Sequence, residues 1–214
     1  MNYFQESFNK ISEDKRNRIL ETAISEFAEH GFDSANINII AQKAGISIGS
    51  MYKYFGSKEN LFLTIVHTGV EKLKAVLDEI MSSEEDFLGK IKKIIRAIQV
   101  NSRTNVHLTR LYNEMATESH SELVWKIASD MENVSAGLYA SFIKEAQEAG
   151  IVREDIDPRY FAFFLDNLFI LLQFSYACEY YKERLKIFVG TDVFNNDELV
   201  VEEMLKFIKG GFLK

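Results

Sequence analysis

Ser50, Tyr52, Lys53, Tyr54 and Lys58 crowd into one short segment, GISIGSMYKYFGSKENL, that runs from Gly45 to Leu61. No carboxylate occurs between Ser34 and Lys58, whereas Lys43, Lys53 and Lys58 each bring a positive charge. Ammonium groups in an acid-free stretch attract phosphate, and that attraction weakens as salt rises. A tyrosine ring can lie against a thymine methyl while its hydroxyl reaches a phosphate, and short polar side chains can meet base edges. This is the chemistry of a surface that meets a charged polymer, not of proton transfer or nucleophilic attack.

Elsewhere the sequence is poor in catalytic patterns. His30, His67, His107 and His120 show no metal-ligand spacing, and no HExxH, P-loop or GxGxxG pattern occurs. Cys178 is the single cysteine, so an intrachain disulfide is impossible, which fits a reducing compartment. Set in an apolar stretch, it reads as a core residue rather than a nucleophile. The chain is expected not to be an enzyme and to need neither a cofactor nor a metal.

The acidic total, a net charge of -7, would by itself argue against a nucleic-acid partner. Its distribution argues differently. Residues 1–60 hold 7 Lys/Arg against 8 Asp/Glu, and residues 61–214 hold 18 against 24, so most of the excess lies away from the segment. With 214 residues and 47% hydrophobic content, the chain can bury a substantial core.

Helical spacing recurs along the chain, and alternating β-branched runs are absent. Ile19, Ala23 and Phe27 form an i, i+4, i+8 stripe, which predicts a helix over 13–30 that stops at Gly31. Asn36 is placed to cap a short helix over 37–44, and Ser47 another over 48–54. Gly45 between them would take a left-handed backbone, and Ile46 would fill the gap. Two short helices joined in this way make a helix-turn-helix. Gly49 and Ser50 keep the start of the second helix free of bulk, so it can approach base edges in a major groove. Further helices are expected over 58–81, 87–101, 106–117, 121–149, 158–188 and 197–208. The run YFAFFLDNLFILLQFSYAC (Tyr160–Cys178) is long enough to span a bilayer, but Asp166, Asn167 and Gln173 lie inside it, and it reads as a buried helix. The opening residues, MNYFQESFNK, lack the basic start and apolar run of a secretory signal.

The stretch FAEHGFDSANINIIAQKAGISIGSMYKYFGSKENLF resembles the N-terminal signature of the TetR family of transcriptional regulators. Phe27, Gly31-Phe32, Ile40-Ala41, Ala44 to Ser47, Gly49 to Tyr52, Tyr54-Phe55 and Ser57 to Glu59 with Leu61 carry the likeness, across roughly residues 13–65. The resemblance implies an all-α fold, with a DNA-reading domain at 1–57 and a helical bundle for effector binding and dimerisation at 58–214. It places Asn36 and Asn38 beside the groove, and Ile48, Gly49, Ser50, Tyr52, Lys53 and Tyr54 on the recognition helix. It puts Lys58 on backbone phosphate. Ile48 departs from the polar, basic or small residue usual there.

In the second domain, Phe161, Leu165, Leu168, Leu172 and Tyr176 lie on one side of the expected 158–188 helix, and Phe163, Ile170, Phe174 and Ala177 lie nearly opposite. A helix apolar on two sides must be buried on two sides. The second covering surface is expected to be the same helix of a partner, joined by 197–208, in a homodimer. Tyr112, Trp125, Tyr139, Phe142, Phe164, Asn167 and Leu168 are candidates for an effector pocket. The expectation is a cytoplasmic repressor that binds an inverted-repeat double-stranded DNA operator and is released by a small apolar or aromatic effector. The alternative is an effector-binding dimer that activates, or that does not bind DNA.

Overall fold

The computed structural model describes residues 3–117 and 122–214. Ser121, the expected start of one helix, and His120 lie outside the described residues. The described chain is helical: α1 (Glu6–Asn9), α2 (Glu13–Ser34), α3 (Ile37–Lys43), α4 (Ile48–Phe55), α5 (Lys58–Met81), α6 (Phe87–Thr104), α7 (Val106–Thr117), α8 (Glu122–Glu148), α9 (Pro158–Ala177), α10 (Glu179–Val189), a 3₁₀ turn (Thr191–Asn195) and α11 (Asp197–Phe212).

The helix starts follow local chemistry. Asp86, Asp157 and Asn196 each accept a backbone N–H from the first turn of α6, α9 and α11, satisfying a donor the helix cannot pair itself. Pro158 holds the first position of α9, where its missing N–H costs nothing.

Two expectations need correction. The predicted 158–188 helix is two helices: Cys178 takes an extended conformation (φ -103°, ψ 130°) and separates α9 from α10. Cys178 is itself buried, so packing, with no local breaker residue, sets the bend. α1 was not expected at all. Its four residues are too few for a periodic signal.

Packing divides the chain into two compact units rather than at a single cut between 57 and 58. The first comprises residues 1–73 and 110–128, the second 74–109 and 129–214. In the first, Ile19, Phe27, Ile40, Met51, Phe55, Leu61 and Phe62 have no exposed surface. The Phe27 and Phe62 rings meet edge to face at 5.1 Å. In the second, α9 supplies Phe161, Leu165, Phe169, Leu172 and Tyr176 to a core completed by Ile91, Ile94 and Ile95 of α6, Tyr139 and Ile143 of α8, and Val201, Ile208 and Phe212 of α11. Among the described residues α9 alone has the length and apolar composition to cross a membrane, and this buried stripe accounts for much of that composition.

Polar groups fasten the start of α11 to the same core. Gln99 Nε2 donates to Tyr176 Oη and to the Asp197 carbonyl, both at 3.0 Å. Tyr176 Oη donates to Asp197 Oδ1 at 3.0 Å, and Arg103 grips both Asp197 oxygens. The Arg103 pair holds the Asp197 carboxyl below the usual carboxylate range.

The Phe161 ring packs 4.3 Å from that of Phe212, across α9 and α11. Phe161→Ala is expected to lower unfolding free energy by about 3–5 kcal/mol, the usual result of emptying a fully packed aromatic site. Chemical denaturation with unchanged slope and a lower midpoint will show it.

Candidate nucleic-acid interface

Asn36 caps α3, its Oδ1 accepting from the Asn38 N–H at 2.9 Å. Ile37, Ile40 and Ala41 turn inward, and the Asn36 and Asn38 side chains remain exposed. The chain then reverses at Gly45 (φ 66°), in the left-handed region that only glycine enters without strain. The Ile46 N–H closes the turn on the Ala41 carbonyl at 3.0 Å. Ser47 caps α4: its Oγ accepts from the Ser50 N–H at 3.1 Å and lies 2.9 Å from Ser50 Oγ.

α4 is sharply two-sided. Met51, Tyr54 and Phe55 are buried, whereas Ile48, Gly49, Tyr52 and Lys53 are exposed, with Tyr52 at 49% and Ile48 at 38%. The outward residues form two i, i+4 pairs, 48 with 52 and 49 with 53, so they share one face. Ser50 sits at its edge, half-buried.

Tyr54 does not belong to that face. It is 7% exposed and packs on Phe8 at 5.8 Å and on Phe55 at 6.4 Å between ring centroids. At i+3 from Met51 it falls on the inward side of the helix, and α1 closes over it. The Gln5 N–H donates to the Tyr54 carbonyl at 2.8 Å, and Ser7 Oγ donates to that of Lys53 at 2.9 Å.

Lys58 is also already engaged. Its Nζ donates to the carbonyls of Asp33 (3.0 Å) and Ala35 (3.3 Å) and lies 4.9 Å over the Phe32 ring. It therefore caps the carbonyl end of α2, the pole where a helix favours a cation. Lys43 is taken up by Glu26, whose carboxylate is 99% buried and accepts from Lys43 Nζ at 3.1 Å and from the Asn36 N–H at 3.4 Å. Among the described residues, Lys53 is the one lysine of the three whose ammonium makes no hydrogen bond or ion pair.

Glu26 and Arg18, which sequence reasoning did not single out, set the position of α3. Glu26 ties both ends of α3 to α2, and Arg18 Nε donates to the Ala44 carbonyl at 3.0 Å. Both lie on α2 among ordinary surface charges, so no pattern in the sequence separates them from solvated residues.

Residues 19–65 match the model of bacterial regulatory proteins of the tetR family. This segment is a TetR-family DNA-binding domain. Its helix-turn-helix is that family's, and TetR-family helix-turn-helix proteins are transcriptional regulators that bind DNA. Beyond the matched segment, the chain is 26% identical over 166 residues to the uncharacterized HTH-type transcriptional regulator YhgD of Bacillus subtilis, covering 78% of this chain and 86% of that protein. A TetR-family regulator structure from Chloroflexus aurantiacus superposes with a TM-score of 0.70 at 21% identity, over 99% of both chains. The Bacillus subtilis regulator FadR, solved with stearoyl-CoA, gives a TM-score of 0.70 at 14% identity, over 88% of this chain and 97% of that one. At such identities the superpositions speak for the all-α TetR fold.

The effector candidates are distributed over both units. Tyr112 and Trp125 fall in the first unit, and Tyr139, Phe142, Phe164, Asn167 and Leu168 in the second. Phe142 stacks on Phe87 at 4.8 Å and Tyr139 packs on Phe169 at 5.7 Å, so both rings are core. Leu168 packs partly buried against the same core. Trp125 and Phe164 are exposed. Asn167 is exposed too and satisfies its own amide, Nδ2 donating to the Phe163 carbonyl at 2.7 Å. Among the described residues no group of three or more His, Cys, Asp or Glu is placed to hold a metal.

Asp166 stands apart. It is half-buried, and burial, with repulsion from Glu132, pushes its carboxyl from 3.8 up to about 6. Burial and the Asp166 charge also raise the neighbouring Tyr139 phenol. An acid whose folded pKa is raised takes up a proton on folding, so stability falls as pH rises through the window from about 4 to 6. Asp166→Asn is expected to stabilise the protein at pH 7 by about 1–3 kcal/mol and to be nearly neutral at pH 4. Denaturation curves at the two pH values will test this.

A second expectation concerns Glu26. Lys43→Met strands a buried carboxylate and should cost about 1–3 kcal/mol, more than Glu26→Gln, which keeps a neutral hydrogen-bonding group and leaves Lys43 in water. Thermal melts of the two variants at neutral pH should separate; equal midpoints would contradict the role given to this pair.

Proposed function

We propose that the chain is a homodimeric repressor that binds an inverted-repeat operator and leaves it when a small apolar or aromatic effector binds. The observation that carries DNA reading is the outward face of α4: Ile48, Gly49, Tyr52 and Lys53 presented together in a stretch without acids. In this reading Tyr52 and Ile48 meet thymine methyls, and Gly49 and Ser50 admit the backbone to the groove. Lys53 and the free amides of the first helical turns hold phosphate, and Asn36 and Asn38 contact the groove edge. Lys58 acts mainly by joining the start of α5 to the end of α2, and Tyr54 by packing.

Dimerisation is assigned to α9 and α11. Tyr160 (61% exposed), Phe163 (62%) and Phe164 line the side of α9 away from the core, with Leu171. Phe207 of α11 is 66% exposed, and Leu199 is exposed as well. Large apolar side chains at such exposure favour a covering partner. A twofold dimer would present two α4 helices to half-sites about one DNA turn apart. The apolar or aromatic character of the effector rests on the 13% aromatic content and on the fold, which in FadR holds stearoyl-CoA. α5 runs unbroken from Lys58 to Met81, and a ligand that prefers one placement of it would shift operator affinity by its differential affinity for the two states. A cytoplasmic site of action completes the proposal.

The test begins with selecting a binding site from random DNA with the purified protein and measuring affinity across salt concentrations. Tyr52→Ala should weaken that site about tenfold while changing random-sequence DNA little, and Lys53→Ala should lower the slope of log affinity against log salt by about 1. Wild-type behaviour from both variants would defeat the assignment of α4. Failure to bind any DNA at low salt would favour the effector-binding dimer without DNA.

A further inference from the structure

Within the second unit, the last turn of α6, the start of α7, the last turn of α9, α10 and the 3₁₀ turn border an open cleft of about 330 Å³. Arg103, Val106, Tyr176, Lys182, Lys186 and Phe194 line it. Three of these six are cations and two are aromatic rings. None is among the residues considered for the effector pocket or for DNA.

The rings and the guanidinium are already fixed. Tyr176 and Phe194 meet edge to face at 5.4 Å. Arg103 lies 4.4 Å over the Tyr176 ring, is gripped by Asp197, and donates to the Phe194 carbonyl at 3.3 Å. Groups held in this way lose little freedom when a ligand arrives. The two lysines differ. Among the described residues, Lys182 and Lys186 pair with Glu179 and Glu183 of their own helix, at 3.2 Å and 2.7 Å. Such exposed i, i+3 pairs are weak and exchange readily. The three partner carboxylates, Asp197, Glu179 and Glu183, do not line the cleft. An incoming group therefore meets the lysines, Val106 and Phe194, with Tyr176, itself 3% exposed, beneath them.

We propose that this cleft is a second ligand site, distinct from the effector pocket, that takes a small planar organic anion: an aromatic or heteroaromatic ring bearing a carboxylate or phosphate. The ring packs on Phe194 and Val106. The anion draws Lys182 and Lys186 from their glutamates, while Arg103, its charge already matched by Asp197, serves as a fixed wall. The volume stands near the lower end of the range of ligand pockets, about 300–1,000 Å³, which suits one or two fused rings and excludes a long acyl chain. α10 contributes no fully buried residue to the fold, so a ligand bridging its lysines to α6 and α9 would also order it.

Calorimetric titration of the full chain with 2-naphthoate, 2-naphthyl phosphate and neutral 2-naphthamide tests this. At least one of the two anions should bind, and about tenfold or more tighter than the amide. The double substitution Lys182→Gln, Lys186→Gln should weaken it by a similar factor with helical circular dichroism unchanged, whereas Leu168→Ala should leave it unaltered. Binding should also slow amide hydrogen exchange in α10. Whichever anion binds tighter identifies the favoured acid group. No binding by either anion, equal binding of the amide, or an undiminished response in the double variant would overturn the proposal.

Discussion

An eight-residue helix has no stability of its own in water, and α4 is eight residues long. It persists because Met51 and Phe55 lose all their exposed surface, Tyr54 nearly all, and the two serines and Gly56 close its ends. Burying one side of so short a helix determines what the other side presents. Ile48, Gly49, Tyr52 and Lys53 point outward together because their neighbours are held inward. The exposed face is thus a product of core packing, and substitutions beneath it will alter what it presents as surely as substitutions on it.

Polar groups decide the finer placement. α1 and α3, which pack on α4, are short, and apolar contacts alone would leave them free to slide. Arg18 on the Ala44 carbonyl, Glu26 between Lys43 and Asn36, and Lys58 on the last carbonyls of α2 each join two elements at a defined register. Two of the three lysines that make this stretch look basic are consumed in the process. The surface that remains is less charged than the sequence suggests.

The second unit uses the same device. Gln99, Tyr176, Arg103 and Asp197 tie the start of α11 to α6 and α9, and the Arg103–Tyr176 stack that completes the network also forms one wall of the basic cleft. A group that stabilises the fold there is simultaneously displayed to solvent. Asp166 is the opposite case, a carboxyl in an apolar helix, raised by burial and by repulsion from Glu132.

Much of this was legible in the order of residues. Helical spacing, Asn36 and Ser47 as caps, Gly45 in its left-handed turn, and the composite from Phe27 to Leu61 pointed to the all-α class, the helix-turn-helix and the family. Those signals are local: periodicity and capping act over a few residues, and a short sequence contains them whole. Tyr54 was legible in principle, since it shares a helical face with Met51. What tertiary structure alone decided depends on distant partners. The break at Cys178 has no glycine or proline to mark it, Lys58 is claimed by carbonyls 23 and 25 residues earlier, and Phe142 is core because Phe87 lies against it. A charge or a ring is the same letter whether solvent or a neighbour surrounds it, and only the folded chain brings that neighbour into place.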